Sequence, residues 1–122
     1  MSNITTTIEQ SKELVRLGLD PNTGDMNWFG NEKIGVPYEL DLLPYKKRSV
    51  HHHCLPAWSL TALLEVMPKP DLYRETADLW VCVTLFKEGS IRGFGETAID
   101  AACDNITKMF ERGYLKKKGG EQ

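Results

Sequence analysis

One stretch constrains the fold more than any other: the eight residues at 79–86, LWVCVTLF, are apolar except for one threonine. β-Branched and aromatic residues dominate the run, and such residues favour strands. Because hydrophobic side chains stand at both odd and even positions, the run predicts a central strand covered on both faces or close to it. The turn residues at 87–90 and the segment 91–95 then predict a β-hairpin. The two glycines of RGFGET predict a bulge in its second strand.

Three segments combine helical periodicity with capping residues. Before the first, Thr6 and Glu9 have the spacing of a capping box. Before the last segment, Thr97 and Asp100 have the same spacing and predict a capped helix N-terminus. Glycines after the first and the last segment stand where left-handed C-caps are expected. The predicted helices are 8–17, 60–67 and 98–112.

The sequence PAWSL at 56–60 predicts the entry of the second helix. As the N-cap, Ser59 would accept a hydrogen bond from the amide of Ala62. Trp58 before the cap and Leu63 within the helix then have the spacing of a hydrophobic staple. The stretch is therefore interpreted as a structural joint.

The remaining segments complete an α+β pattern. Residues 26–29 and 38–43 predict two short strands, whereas 45–54 and 69–78 predict irregular connections. The order of elements is therefore α-β-β-α-β-β-α. Hairpins that alternate with helices predict a small antiparallel sheet of about four strands, with three helices packed on one face.

Length and composition predict one soluble globular domain. The chain has 122 residues, of which 41% are hydrophobic and 26% charged, so it can bury a single core. We expect a single domain at 1–115 and a flexible basic tail at 116–122. No apolar run approaches the roughly 20 residues that cross a bilayer, and the first residues lack the pattern of a signal peptide. A cytoplasmic protein without a membrane partner is expected.

The run HHHC at 51–54 is the first candidate for a chemical site. In an extended chain His51 and His53 point to one side and Cys54 to the other. Zinc needs three or four ligands, and no second His/Cys cluster lies at a useful spacing. We therefore expect no metal, and no cofactor. Nothing resembles a known catalytic motif, so the sequence predicts a protein that is not an enzyme.

Two basic segments make nucleic acid an alternative partner. Lys46, Lys47 and Arg48 stand beside Tyr45, and three more lysines lie in the tail. Basic side chains beside an aromatic ring can hold phosphates and stack bases. The net charge of −2 opposes strong binding of a polyanion, so nucleic acid is disfavoured.

Contact with another protein is the favoured function. Trp28, Phe29 and Tyr38 lie on the first predicted strand pair, and exposed aromatic side chains are typical of protein interfaces. They are the candidate partner-binding residues, together with Lys46, Lys47 and Arg48. The partner's identity and a homo-oligomer are left open.

Three blocks of the sequence resemble a known family: TIEQSKELVRLGLDPNTGDMNW, PAWSLTALLEVMPK and GETAIDAACDNITKMFERGYLKK. They are similar to a family of short proteins from phages and prophages of gut Bacteroidetes and related bacteria. The resemblance covers most of the chain and is weak at residues 30–54. It implies no activity, ligand or partner for any residue. The passage from the second hairpin through GET into AIDAA is also similar to the HicB-like antitoxins, which implies a related fold.

Overall fold

The computed structural model describes residues 4–45 and 54–115, which form an α+β fold. Two three-stranded antiparallel sheets have the strand orders β2-β1-β3 (sheet A) and β4-β5-β6 (sheet B). The prediction of an α+β class with three helices is confirmed, whereas the single sheet of about four strands is wrong. The elements are α1 Ile8–Leu17, β1 Met26–Asn31, β2 Val36–Asp41, β3 Cys54–Ala57, α2 Leu60–Glu65, β4 Asp71–Thr76, β5 Leu79–Phe86, β6 Gly89–Gly95 and α3 Ala98–Glu111.

The two strands that the sequence did not predict, β3 and β4, both lack the long apolar run of a central strand. β3 has four residues and includes Pro56, which normally argues against a strand. β4, DLYRET, is exposed at five of its six positions. Both lie at the edge of a sheet, so neither needs the apolar run that identifies a central strand.

The hydrophobic core lies between sheet B and the helices. α3 covers one face of sheet B, α1 and α2 pack against α3, and α1 also contacts β3 of sheet A. The prediction of helices on one face therefore holds for α3 and sheet B. The core contains Leu14, Trp58, Leu63, Ile91, Ile106 and Met109, each at most 2% exposed.

The first helix has the predicted bounds but a different cap. Thr7, not Thr6, is the N-cap, and its capping-box partner is Gln10 rather than Glu9. Thr6 is fully buried instead, and its hydroxyl accepts from the Trp58 amide at 3.2 Å. Tertiary burial of the first threonine thus moves the cap by one residue.

The joint at the start of α2 is as predicted. Ser59 accepts from the Ala62 amide at 3.2 Å, and the side chains of Trp58 and Leu63 are fully buried. The indole Nε1 of Trp58 donates to Thr23 Oγ1 at 2.8 Å. The hydroxyl of Ser59 in turn donates to the carboxylate of Asp25 at 2.5 Å, which ties the cap to the segment before β1.

The glycines of RGFGET serve close packing rather than a bulge. The β5–β6 register runs without a shift from Trp80↔Gly95 to Phe86↔Gly89, so the predicted bulge is wrong. A Cβ on Gly93 would lie 2.7 Å from the Cα of Asn105. Glycine is therefore required because α3 crosses β6 in direct backbone contact.

Candidate functional site

The β1–β2 hairpin separates the three aromatic residues that the sequence grouped together. Trp28 pairs with Leu40, and Phe29 pairs with Glu39. Since successive side chains of a strand point to opposite faces, Trp28 and Tyr38 lie on one face of sheet A and Phe29 on the other. The predicted trio does not form one surface.

The face with Trp28 and Tyr38 is turned towards α1. The indole Nε1 of Trp28 donates to the carbonyl of Thr6 at 3.0 Å, and this side chain is half-buried. The ammonium of Lys12 lies 5.9 Å from the centre of the Tyr38 ring and forms an ion pair with Glu32. The hydrogen bond between the Lys12 ammonium and the Glu32 carboxylate raises the pKa of Lys12 and lowers the pKa of Glu32. Trp28 and Tyr38 therefore join the hairpin to the first helix.

The opposite face carries an exposed apolar patch, the hairpin patch, formed by Phe29, Ile34 and Val36. Their exposed fractions are 44%, 70% and 42%. With Gly30 and Asn31 they line a cavity of about 110 Å³. The sequence missed Ile34 and Val36 because they lie between the predicted strands 26–29 and 38–43, where isolated apolar residues carry no periodic signal.

A bulge in the hairpin brings Val36 to this face. The register shifts between Phe29 and Asn31, so that Asn31 pairs with Val36. A Cβ on Gly30 would lie 2.7 Å from the Pro37 carbonyl oxygen, which explains why a glycine stands opposite the bulge. The bulge therefore aligns Val36 with Phe29, as bulges commonly re-aim side chains.

Among the described residues, the charges beside the hairpin patch are mainly negative. Glu39 pairs directly with Phe29 across the two strands and is exposed. Asp41 follows on the same face by strand alternation, and its carboxylate accepts from the Leu43 amide at 3.2 Å. The exposed Lys33 stands in the turn. The patch thus combines an apolar cavity with an acidic flank.

The other candidates from the sequence lie mostly outside the described residues. Lys46, Lys47 and Arg48, the histidines His51 and His53, and the tail at 116–122 all belong to this group. Cys54, the first residue of β3, is half-buried. Within 4–45 and 54–115, no three His, Cys, Asp or Glu side chains come close enough together to hold a metal ion.

The two buried thiols are unsuited to nucleophilic chemistry. Burial raises the pKa of Cys82 to about 11 and that of Cys103 to about 12. The thiolate is the reactive form, so both thiols stay protonated and inert near neutral pH. Cys82 lies 3.8 Å from the sulfur of Met67 in the core, and we assign both cysteines to packing.

Two larger cavities, each of about 410 Å³, open elsewhere on the described surface. One is bordered by Glu32, Tyr38 and Cys54, next to the β1–β2 hairpin. The other lies between the loop before β1 and α2, where Asp25 and Glu65 are its acidic residues. The Asp25 carboxylate already accepts from the amide and hydroxyl of Ser59. The Asp25 carboxylate is therefore part of the capped start of α2.

Comparisons of this chain with family models, with curated proteins and with solved structures find no match. The function must therefore be inferred from the surface of the molecule. In the described ranges, every helix is too short or too polar to cross a bilayer.

Proposed function

We propose that this chain is a small non-catalytic protein of phage or prophage type that acts inside the cell by binding another protein. The observation that carries the proposal is the hairpin patch of Phe29, Ile34 and Val36, whose side chains are 42% to 70% exposed around a cavity. Exposed apolar clusters with a polar rim commonly mark protein interaction sites. The phage or prophage origin is supported by the sequence resemblance alone.

The shape and charge of the patch suggest the chemistry of its partner. A cavity of about 110 Å³ fits one medium-sized apolar side chain. Glu39, directly across from Phe29, complements a Lys or Arg next to that side chain. The favoured partner is therefore a protein segment in which an apolar anchor stands beside a basic residue.

The experiment selects linear peptides of about a dozen residues from a displayed library, first on the wild-type protein and then on an Ile34→Asp variant. We expect wild-type selection to enrich peptides with an apolar residue beside Lys or Arg. Ile34→Asp should weaken a selected peptide at least about tenfold, because it places a charge in the apolar contact. Fluorescence anisotropy with a labelled peptide measures the change.

Val15→Asp is the matched control. Val15 is 37% exposed on α1, so the variant introduces the same charge on another exposed apolar site. It should bind the selected peptide as the wild type does. Equal enrichment on the wild type and on Ile34→Asp, or no enrichment at all, would remove the hairpin patch as the binding site.

A further inference from the structure

On the face of sheet B that points away from α3, one cross-strand row is apolar on all three strands. The register places Tyr73, Val81 and Phe94 in one cross-strand row. The exposed fractions of Tyr73 and Phe94 are 41% and 44%, whereas Val81 between them is 2% exposed. Further along β5, the Leu85 side chain is 65% exposed. We call this surface the outer face of sheet B.

The outer face is separate from the main core. Val81 is buried but does not belong to the cluster of core residues on the α3 side. Cys82 and Thr84 lie on the opposite face of β5 because side chains alternate along a strand. They face α3 and are fully buried. An antiparallel sheet with one solvated face normally carries polar residues there, so an apolar row on this face indicates a contact surface.

The cross-strand row next to Tyr73, Val81 and Phe94 carries two opposite charges. Asp71 of β4 and Arg92 of β6 both pair with Val83, so they lie in one row on opposite edges of the outer face. Both residues are exposed. The outer face therefore has an acidic edge, an apolar centre and a basic edge.

The free edge of β6 is already occupied by side chains of α3. The Phe94 amide donates to the carboxylate of Asp104 at 2.9 Å, and Lys108 donates to the Arg92 carbonyl at 2.8 Å. Asp104 and Lys108 are themselves an ion pair at 3.1 Å. Strand addition at this edge of the sheet is therefore blocked, as edge strands often are.

We propose that the outer face of sheet B binds a second copy of this chain, face to face, about a two-fold axis parallel to β5. Such an axis places β4 of one copy over β6 of the other. Residues of the same cross-strand row then face each other, because the rotation leaves the position along the strands unchanged. Tyr73 then meets Phe94 of the second copy, and Asp71 meets its Arg92. Val83, between Asp71 and Arg92, lies on the axis and meets its own counterpart.

Charge complementarity selects a second copy as the occupant. A surface with an acid on one edge and a base on the other, at the same height, forms two ion pairs with itself under this rotation. Aligned sheets pack about 10 Å apart, within reach of an arginine side chain. The footprint is roughly 14 Å by 23 Å from ordinary strand spacing and rise, so the dimer is expected to be weak and to depend on concentration.

The test is a reciprocal charge exchange followed by sedimentation velocity over a range of protein concentrations. Asp71→Arg leaves two bases to face each other across the axis, and Arg92→Asp leaves two acids. Each variant alone should shift the dimerisation midpoint to at least about tenfold higher concentration. An equimolar mixture of the two should form a heterodimer again, because one copy then presents two bases to the two acids of the other. Both ion pairs are restored, one as in the wild type and one with its charges exchanged.

Two further variants complete the experiment. Leu85→Asp should weaken self-association, whereas Ile34→Asp on the hairpin patch should leave it unchanged, so this result is independent of peptide binding by the hairpin. A wild-type protein that stays monomeric at every concentration overturns the proposal. So does a dimer that Asp71→Arg and Arg92→Asp leave intact, or a mixture that fails to associate.

Discussion

Asn105 of α3 lies directly against Gly93 of β6, and the space between their backbones cannot accept a side chain at position 93. The side-chain nitrogen Nδ2 of Asn105 donates to the backbone carbonyls of Cys82 at 2.6 Å and Ile91 at 3.0 Å. Its oxygen lies 3.3 Å from the hydroxyl of Thr84, which donates to it. One fully buried polar side chain thus connects the last helix to both strands of the second hairpin.

We expect Asn105→Leu to destabilise the protein by about 2 kcal/mol. Leucine has a similar size but no donor, so two buried carbonyls lose a hydrogen bond in a place that water cannot reach. The free energy of unfolding in urea measures the effect. A stability equal to that of the wild type would mean that the polar contacts add nothing to this interface.

Gly93→Ala and Gly35→Ala should differ in cost, because the two glycines are needed for different reasons. At Gly93 the new methyl group would meet the backbone of α3, and such overpacking costs about 3 kcal/mol. Gly35 has a left-handed φ of 78° but open space around it, so alanine there costs only about 1 kcal/mol. Thermal melts of both variants provide the comparison. Equal losses would show that α3 can move away from β6.

The Trp58–Ser59 joint predicts a graded loss of stability. Ser59→Ala removes the cap of α2 and its contact with Asp25, which should cost about 1 kcal/mol. Trp58→Ala empties a fully buried site and should cost about 3 kcal/mol or more. Urea titrations measure both. Peptide binding per folded molecule should stay unchanged, since neither side chain is part of the hairpin patch.

The buried thiols predict a loss of stability at alkaline pH. Burial raises the folded-state pKa of Cys82 to about 11 and that of Cys103 to about 12, from an ordinary value of 9.0. Above pH 9.0 the unfolded chain releases these protons while the folded chain keeps them. Stability is therefore unaffected by the thiols below pH 9 and falls as the pH rises towards 11 or 12, with a limiting slope of about 1.4 kcal/mol per pH unit for each thiol.

Unfolding free energies measured from pH 8 to pH 10 check this slope. Since tyrosine and lysine begin to titrate in the same range, the control is a Cys82→Ala, Cys103→Ala double variant. It should lose less stability per pH unit than the wild type. Parallel pH profiles for the two proteins would contradict the assignment to the thiols.

Salt dependence separates a protein partner from nucleic acid. Binding through Lys46, Lys47 and Arg48 would release counterions, and about six phosphate contacts would lower affinity about a thousandfold between roughly 50 and 200 mM salt. We expect only feeble oligonucleotide binding at the lower salt concentration. Micromolar binding at the higher concentration that is lost in a Lys46→Glu, Arg48→Glu variant would favour nucleic acid instead.

The sequence alone was sufficient to predict those elements whose pattern lies within a few consecutive residues. The apolar run of β5 coincides with the observed strand Leu79–Phe86, and α1 begins and ends where periodicity and Gly18 indicated. Gly113 also forms the expected turn, in which the Tyr114 amide donates to the Met109 carbonyl at 2.8 Å. These features depend on hydrophobic periodicity and backbone conformation, which a short segment carries by itself.

Contacts between distant segments decided the rest. β3 and β4 are strands because a neighbouring strand offers them hydrogen bonds, not because their own residues favour extension. Gly93 looks like a bulge glycine until α3 is seen to cross it. Likewise, the sequence selected Phe29 but grouped it with Trp28 and Tyr38. Alternation along β1 separates Phe29 from Trp28, and the pairing register places Tyr38 on the face of Trp28. Sequence therefore fixes where the chain is apolar, and tertiary packing decides which apolar side chains remain on the surface to meet a partner.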